Sequence, residues 1–293
     1  SAVLYSCRAK TGRMWLPDAL RGLALLNMLA YHTMYDWVYV FGHESSWYNI
    51  WAPGCHVWQQ YICWSFILLS GFSFPLARKP VENGLLAAGC AALLTFVTAV
   101  FMPSESIWFG VLHLNAAAVL LTCLVCPLLQ RVPAGIGLAA SAALFALTNQ
   151  LPYGYMGFEN WRLCTLPAGL YRANWFWLGF PDLTRFASAD YFPVLPWMFL
   201  FWCGVFLARI WHPGRGEAPA ALRPLCAVGR NTLLVYMLHQ PLIYGALWAG
   251  HALLGWWTPH AVPPLLRSLP KMNILKIFIL AKIVVDRLGA YIV

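Results

Sequence analysis

The sequence predicts an all-α fold, a polytopic membrane helix bundle with seven spans and an eighth candidate at its C-terminus. Two observations carry this. Of the 293 residues, 61% are hydrophobic and only 10% are charged, whereas a soluble domain has about 45–50% apolar and about 25% charged residues. The apolar residues also gather into runs near the ~20 residues that cross a bilayer as a helix. No soluble domain, internal repeat or low-complexity tract interrupts them, so residues 1–293 read as a single transmembrane domain.

The first run, 15–41, opens close to Pro17 and reads WLPDALRGLALLNMLAYHTMYDWVYVF. The second, 56–77, closes at Pro75 and the basic pair Arg78-Lys79. The third and fourth, 84–102 and 106–129, are separated only by residues 103–105. The fifth, 134–150, is the shortest, and 191–211 and 228–250 follow a long insertion. The eighth candidate, 272–293, is apolar but broken by Lys276, Lys282, Asp286 and Arg287.

Lys and Arg set the orientation. With the N-terminus in the cytoplasm, Arg8, Lys10, Arg13, Arg78, Lys79, Arg131, Arg209, Arg215, Arg223 and Arg230 all lie inside, and loops 42–55 and 103–105 contain neither residue. That is the positive-inside pattern. Arg8, Lys10 and Arg13 precede Trp15 with no apolar core, so no cleavable signal is expected. The net charge of +9 is spread over short loops rather than one patch, which excludes nucleic acid as a partner and leaves membrane lipid as the surroundings.

The insertion 151–190 is too long for an idle connection. Its aromatic residues include Tyr153, Tyr155, Phe158, Trp161, Tyr171, Trp175, Phe176 and Trp177. They fit either an interfacial belt or a lid over an external cavity. Among the nine cysteines, Cys63, Cys90, Cys123, Cys126 and Cys203 lie in apolar runs and read as small buried hydrophobes. Cys123-x-x-Cys126 has no second pair or histidine at zinc spacing, so no metal is expected. Cys55 and Cys164 both fall in expected external loops, where a disulfide and two free thiols are the alternatives.

The chemistry concentrates in the first run. Asp18, Arg21, His32 and Asp36 fall within roughly 60° of one another at ~100° per residue. Ionisable groups inside a membrane helix are costly and mark function by default. His32 and Asp36 are one turn apart, and a carboxylate beside an imidazole fixes its tautomer and raises its basicity, as a general base requires. The alternative is a structural tie between helices.

His113 lies in the fourth run, roughly 10 Å below Ser106, and His32 roughly 15 Å below Gly42, at ~1.5 Å per residue. His239 is near the middle of the seventh run. No two of these histidines have local metal-ligand spacing, so convergence on a metal is not expected. Arg21 enters on the cytoplasmic side, paired with Asp18 or free to hold phosphate. Arg230 and Asn231 stand at the expected start of the seventh run, where helix-end N–H groups suit a phosphate. A basic inner mouth, a deeper His/Asp centre and an aromatic outer cover suit a reaction across the membrane. A transporter or flippase of a polar lipid or sugar, or a non-catalytic scaffold, is the alternative.

Several ordered motifs carry a resemblance. Pro17-Asp18-Ala19-Leu20-Arg21-Gly22-Leu23-Ala24 with His32-x-x-x-Asp36, then Phe66-Ile67-Leu68-Leu69-Ser70-Gly71-Phe72-Ser73, resemble the opening helices of the bacterial heparan-α-glucosaminide N-acetyltransferase catalytic-domain family. Phe109-Gly110-Val111-Leu112-His113, Asp190-Tyr191-Phe192-Pro193-Val194-Leu195-Pro196-Trp197 and the run from Gly229 to Pro241 resemble its later motifs. The likeness covers about 13–250 and leaves 251–293 unassigned.

The resemblance implies a transmembrane acyltransferase of a bacterial inner membrane. It would move acetyl from cytoplasmic acetyl-CoA to a glycan or amino-sugar acceptor outside. His32 with Asp36 would act as base or carry the acyl group, with His113 and His239 polarising the thioester or placing the acceptor. Arg21, Arg230 and Asn231 would hold CoA phosphates. In the lysosomal relatives the position of His32 resembles Asn, and a catalytic histidine lies in the first external loop, where this chain has His43. His32 is preferred because Asp36 stands one turn away.

Overall fold

A computed structural model describes residues 14–254, and every one of the seven apolar runs is helical there. The eighth candidate, 272–293, and the basic residues Arg8, Lys10 and Arg13 lie outside the described residues. The helices are α1 (Trp15–Tyr35), α2 (Pro53–Ser73), α3 (Pro80–Phe101), α4 (Val111–Arg131), α5 (Ala134–Thr148), α6 (Val194–Ile210), α7 (Arg223–Arg230) and α8 (Thr232–Leu254).

The structure amends the all-α expectation. Within the 151–190 insertion, β1 (Tyr155–Phe158) and β2 (Trp161–Thr165) pair antiparallel, with Phe158 opposite Trp161. These aromatic and β-branched residues suit a pleated surface. The turn between them uses Glu159 at φ 48°, and the Tyr155 hydroxyl donates to the Glu159 carbonyl at 2.7 Å. β2 is exposed along its whole length.

Among the described residues, three helical segments are long and apolar enough to cross a membrane: Pro80–Phe101, Val111–Arg131 and Ala134–Tyr153. Val194–Ile210 is apolar but shorter. α1, α2 and α8 have the length, but they carry polar residues such as Asp18, Arg21, His56, Gln59, Gln60, His239 and Gln240.

The chain divides into two compact units, one formed by Cys63–Arg215 and the other by Met14–Ile62 with the segment from Gly216 onward. In the first, α3 packs on α4 and α5 on α6 around Ile67, Phe74, Leu114, Phe145, Phe192, Met198, Phe201 and Val205. α2 and α6 meet backbone to backbone: a Cβ at Gly71 would stand 1.9 Å from the Phe201 carbonyl oxygen, and one at Gly204 would stand 2.1 Å from that of Leu68. Small residues permit such approaches in membrane helix packing. In the second unit, α1 packs against α7 and α8. The elements of that unit carry most of the candidate chemistry.

Candidate functional site

The polar file of α1 faces α7 and α8. At its start, the Arg21 guanidinium lies 3.2 Å from Asp18 Oδ1 and donates to the Gly229 carbonyl at 3.3 Å. Arg230 approaches the other Asp18 oxygen at 3.6 Å. Two glycines make this possible. A Cβ at Gly22 would stand 2.1 Å from the Leu225 carbonyl oxygen, and one at Gly229 would stand 1.9 Å from that of Asp18. The two backbones therefore touch, and two cations share one carboxylate.

Asn231 stands at the start of α8, where the Val235 N–H donates to its carbonyl at 3.0 Å. Arg230 ends α7, and Asn231 is the break before α8. The Asn231 backbone N–H donates to the Val228 carbonyl at 3.1 Å, and its side-chain amide donates to Ala227 at 2.9 Å. These groups close the end of α7. Asn231 leaves helical geometry (φ −99°, ψ 33°), which divides the expected continuous run into two helices.

Further along α1, His32 meets His239, with ring centroids 4.8 Å apart and edge on. His239 Nδ1 lies 2.6 Å from the Tyr236 carbonyl. A carbonyl accepts only, so Nδ1 carries the proton and Nε2 keeps its lone pair.

Asp36 does not orient His32. Its Oδ1 accepts a bond from Gln240 Nε2 at 2.9 Å, and its Oδ2 is buried without a hydrogen-bond partner. At Asp36 the helix widens into a π-turn, Asp36–Val40. Such turns are frequent at functional sites. The sequence argument for preferring His32 over His43 therefore loses its support.

His43, in the loop after this turn, has its own partner. Its Nε2 lies 2.6 Å from His251 Nε2, and His251 Nδ1 lies 2.6 Å from the Leu247 carbonyl. The carbonyl fixes the His251 proton on Nδ1, so His43 Nε2–H donates and His43 Nδ1 holds a lone pair. The His43 ring stacks on Trp37 at 3.8 Å. Burial, then the neighbouring His251, holds the His43 imidazole below its ordinary value.

His113 belongs to the other unit. α4 begins at Val111 rather than 106, so His113 stands in its first turn. The Thr95 hydroxyl donates to the Ile107 carbonyl at 2.8 Å, so its oxygen accepts from His113 Nε2 at 3.1 Å, and His113 Nδ1 is buried without a partner. Asp190 Oδ2 accepts the Val111 N–H at 3.0 Å, and Phe192 N–H donates to the Phe109 carbonyl at 2.9 Å. Two sequence motifs thus meet at the start of α4.

Gln240, Tyr244 and His251 were not singled out in the sequence. Gln240 and Tyr244 lie one turn apart on α8, beyond His239, a spacing that the Asp36 face of α1 makes meaningful only once the helices pair. Cys55 and Cys164 are both free thiols. No group of three or more His, Cys, Asp or Glu side chains suited to a metal occurs among the described residues.

Helices of membrane-spanning length, with Asp18, Asp36 and His239 buried among them, define an integral membrane protein. The chain belongs to the family described as heparan-alpha-glucosaminide N-acetyltransferase, catalytic, whose model matches residues 13–241. Neither a curated protein nor a solved structure matches it.

Proposed function

We propose that the protein is a transmembrane acyltransferase that takes an acyl group, acetyl in the first instance, from acyl-CoA on the cytoplasmic side. It passes the group to an amino or hydroxyl group of a sugar-like acceptor on the other side. The family carries the class of reaction. The observation in the chain itself that supports it is a pair of imidazoles each held by a fixed partner, His239 by the Tyr236 carbonyl beside His32 and His43 by His251 beside Trp37.

The reaction needs a base and a pre-placed carbonyl. The acceptor nitrogen or oxygen attacks the thioester carbon, the C–S bond breaks, and the CoA sulfur leaves with the proton removed from the nucleophile. One imidazole takes that proton and returns it to the thiolate, or carries the acyl group between the two partners. His32 and His43 are the two residues proposed for this step. His239 positions His32.

The donor's phosphates suit the inner clasp. Arg21 and Arg230 both approach Asp18, and the Arg230 side chain is 46% exposed. Guanidinium is the side chain best matched to phosphate. The Asn231 side-chain nitrogen gives one N–H to the Ala227 carbonyl and keeps a second N–H for the donor.

The test is acetyl transfer from labelled acetyl-CoA by detergent-purified protein with amino sugars, beside His32→Ala and His43→Ala. CoA release that requires one of these histidines, with the thermal midpoint kept, supports the reading. Turnover indifferent to both, or no binding of acetyl-CoA, sinks it and favours a transporter or scaffold.

A further inference from the structure

Three buried polar atoms of one neighbourhood have no hydrogen-bond partner among the described residues: Asp36 Oδ2, Gln240 Oε1 and the Tyr244 hydroxyl. The Gln240 amide is joined to Asp36 at 2.9 Å, and Tyr244 follows one turn later on the same helix face. Tyr244 is also within electrostatic reach of Asp36. Asp36 is 1% exposed and has no ion-pair partner among the described residues. Native proteins pair nearly all such atoms, and a lone buried carboxylate is costly unless a cation or a proton compensates it.

What would satisfy all three atoms is one small cation with several donors. All three are oxygens able to accept, one of them on a carboxylate. A primary ammonium has three N–H donors arranged about a single charge. We propose that Asp36, Gln240 and Tyr244 form a receptor for a primary ammonium group. On the acyltransferase reading, that group is the acceptor's amine in its resting, protonated form, held against α1 and α8 close to the His32–His239 pair. Its loss of a proton to become a nucleophile is then a separate step from its capture.

The experiment reads binding without any acyl donor, so a failed transferase assay and a failed ammonium site are distinguishable. Detergent-purified protein at constant ionic strength is titrated with methylammonium and with glucosamine, and its thermal midpoint is followed. Glucose, N-acetylglucosamine, sodium and potassium serve as controls. Saturable stabilisation by both amines and not by the controls is expected. Asp36→Asn abolishes it, and Tyr244→Phe, which leaves the Asp36–Gln240 bond in place, raises the apparent Kd about tenfold. A saturable response to sodium or potassium instead identifies an alkali-ion site and overturns the proposal. No response to any cation, with a protonated-carboxyl infrared band that disappears in Asp36→Asn, assigns the three atoms to a buried proton and also overturns it.

Discussion

Two carboxylates on one helix are treated in opposite ways. Asp18 and Asp36 both lie on the polar file of α1, and both are buried, 5% and 1% exposed. Asp18 is held by two guanidiniums, and its surroundings are glycines that let α7 press against α1. Asp36 receives one amide bond, keeps a bare oxygen, and sits where the helix widens into a π-turn. A carboxylate whose demands are met fastens helices together. One whose demands are unmet is a place for something that arrives. The first end of the file therefore reads as clasp and the second as receptor.

The largest effect expected from breaking this contrast is at the clasp's backbone contact. Gly22→Ala places a Cβ 2.1 Å from a carbonyl oxygen, which neither backbone can yield to without shifting. Overpacking of this kind costs about 3 kcal/mol, so the thermal midpoint in detergent falls sharply. A midpoint equal to that of the wild type would show that α7 does not bear on α1 as described.

The carboxylates themselves give the sharper comparison. Asp18→Asn leaves two arginines short of their counter-charge and should cost about 2 kcal/mol, discounted because Arg230 is partly exposed. Asp36→Asn removes an uncompensated buried charge while keeping an acceptor for Gln240, so the midpoint does not fall. Its transfer to amine acceptors does. Opposite outcomes, a stable Asp18→Asn and an unstable Asp36→Asn, would reverse the assignment of clasp and receptor. Next in size is His239→Ala, which removes the imidazole beside His32. About a hundredfold loss of turnover with an unchanged midpoint is expected. Unchanged turnover would leave His32 without a role for its neighbour.

The helices were legible because apolar runs and basic loops are a one-dimensional signal, and so was the file, because helical periodicity alone places Asp18, Arg21, His32 and Asp36 on one face. The pairing of Asp18 with Arg21 is local, i to i+3, and was also readable. The partners of Asp36 and His43 were not. Gln240 and His251 lie some 200 residues away, and periodicity carries no information about which helix meets which. The hairpin was hidden for a different reason. An aromatic-rich stretch satisfies belt, lid and strand alike, and only pairing in space separates them. The break at Asn231 was obscured because the apolar run continues beyond it from Leu233 to Leu238.

The smallest expected effect is a dependence on pH, and it bears on the second histidine pair. Burial and the adjacent His251 hold His43 below its ordinary value of 6.5. The unfolded chain therefore takes up this proton first as pH falls. Stability from this group is complete above about 6.5 and is lost as pH falls below that value toward the lower folded one. The wild type should lose thermal stability on acidification through pH 6.5, and His43→Gln should flatten that slope, since a neutral amide has no proton to take up. An unchanged slope in His43→Gln would place the titrating group elsewhere and weaken the case for His43 as a base kept neutral by its surroundings.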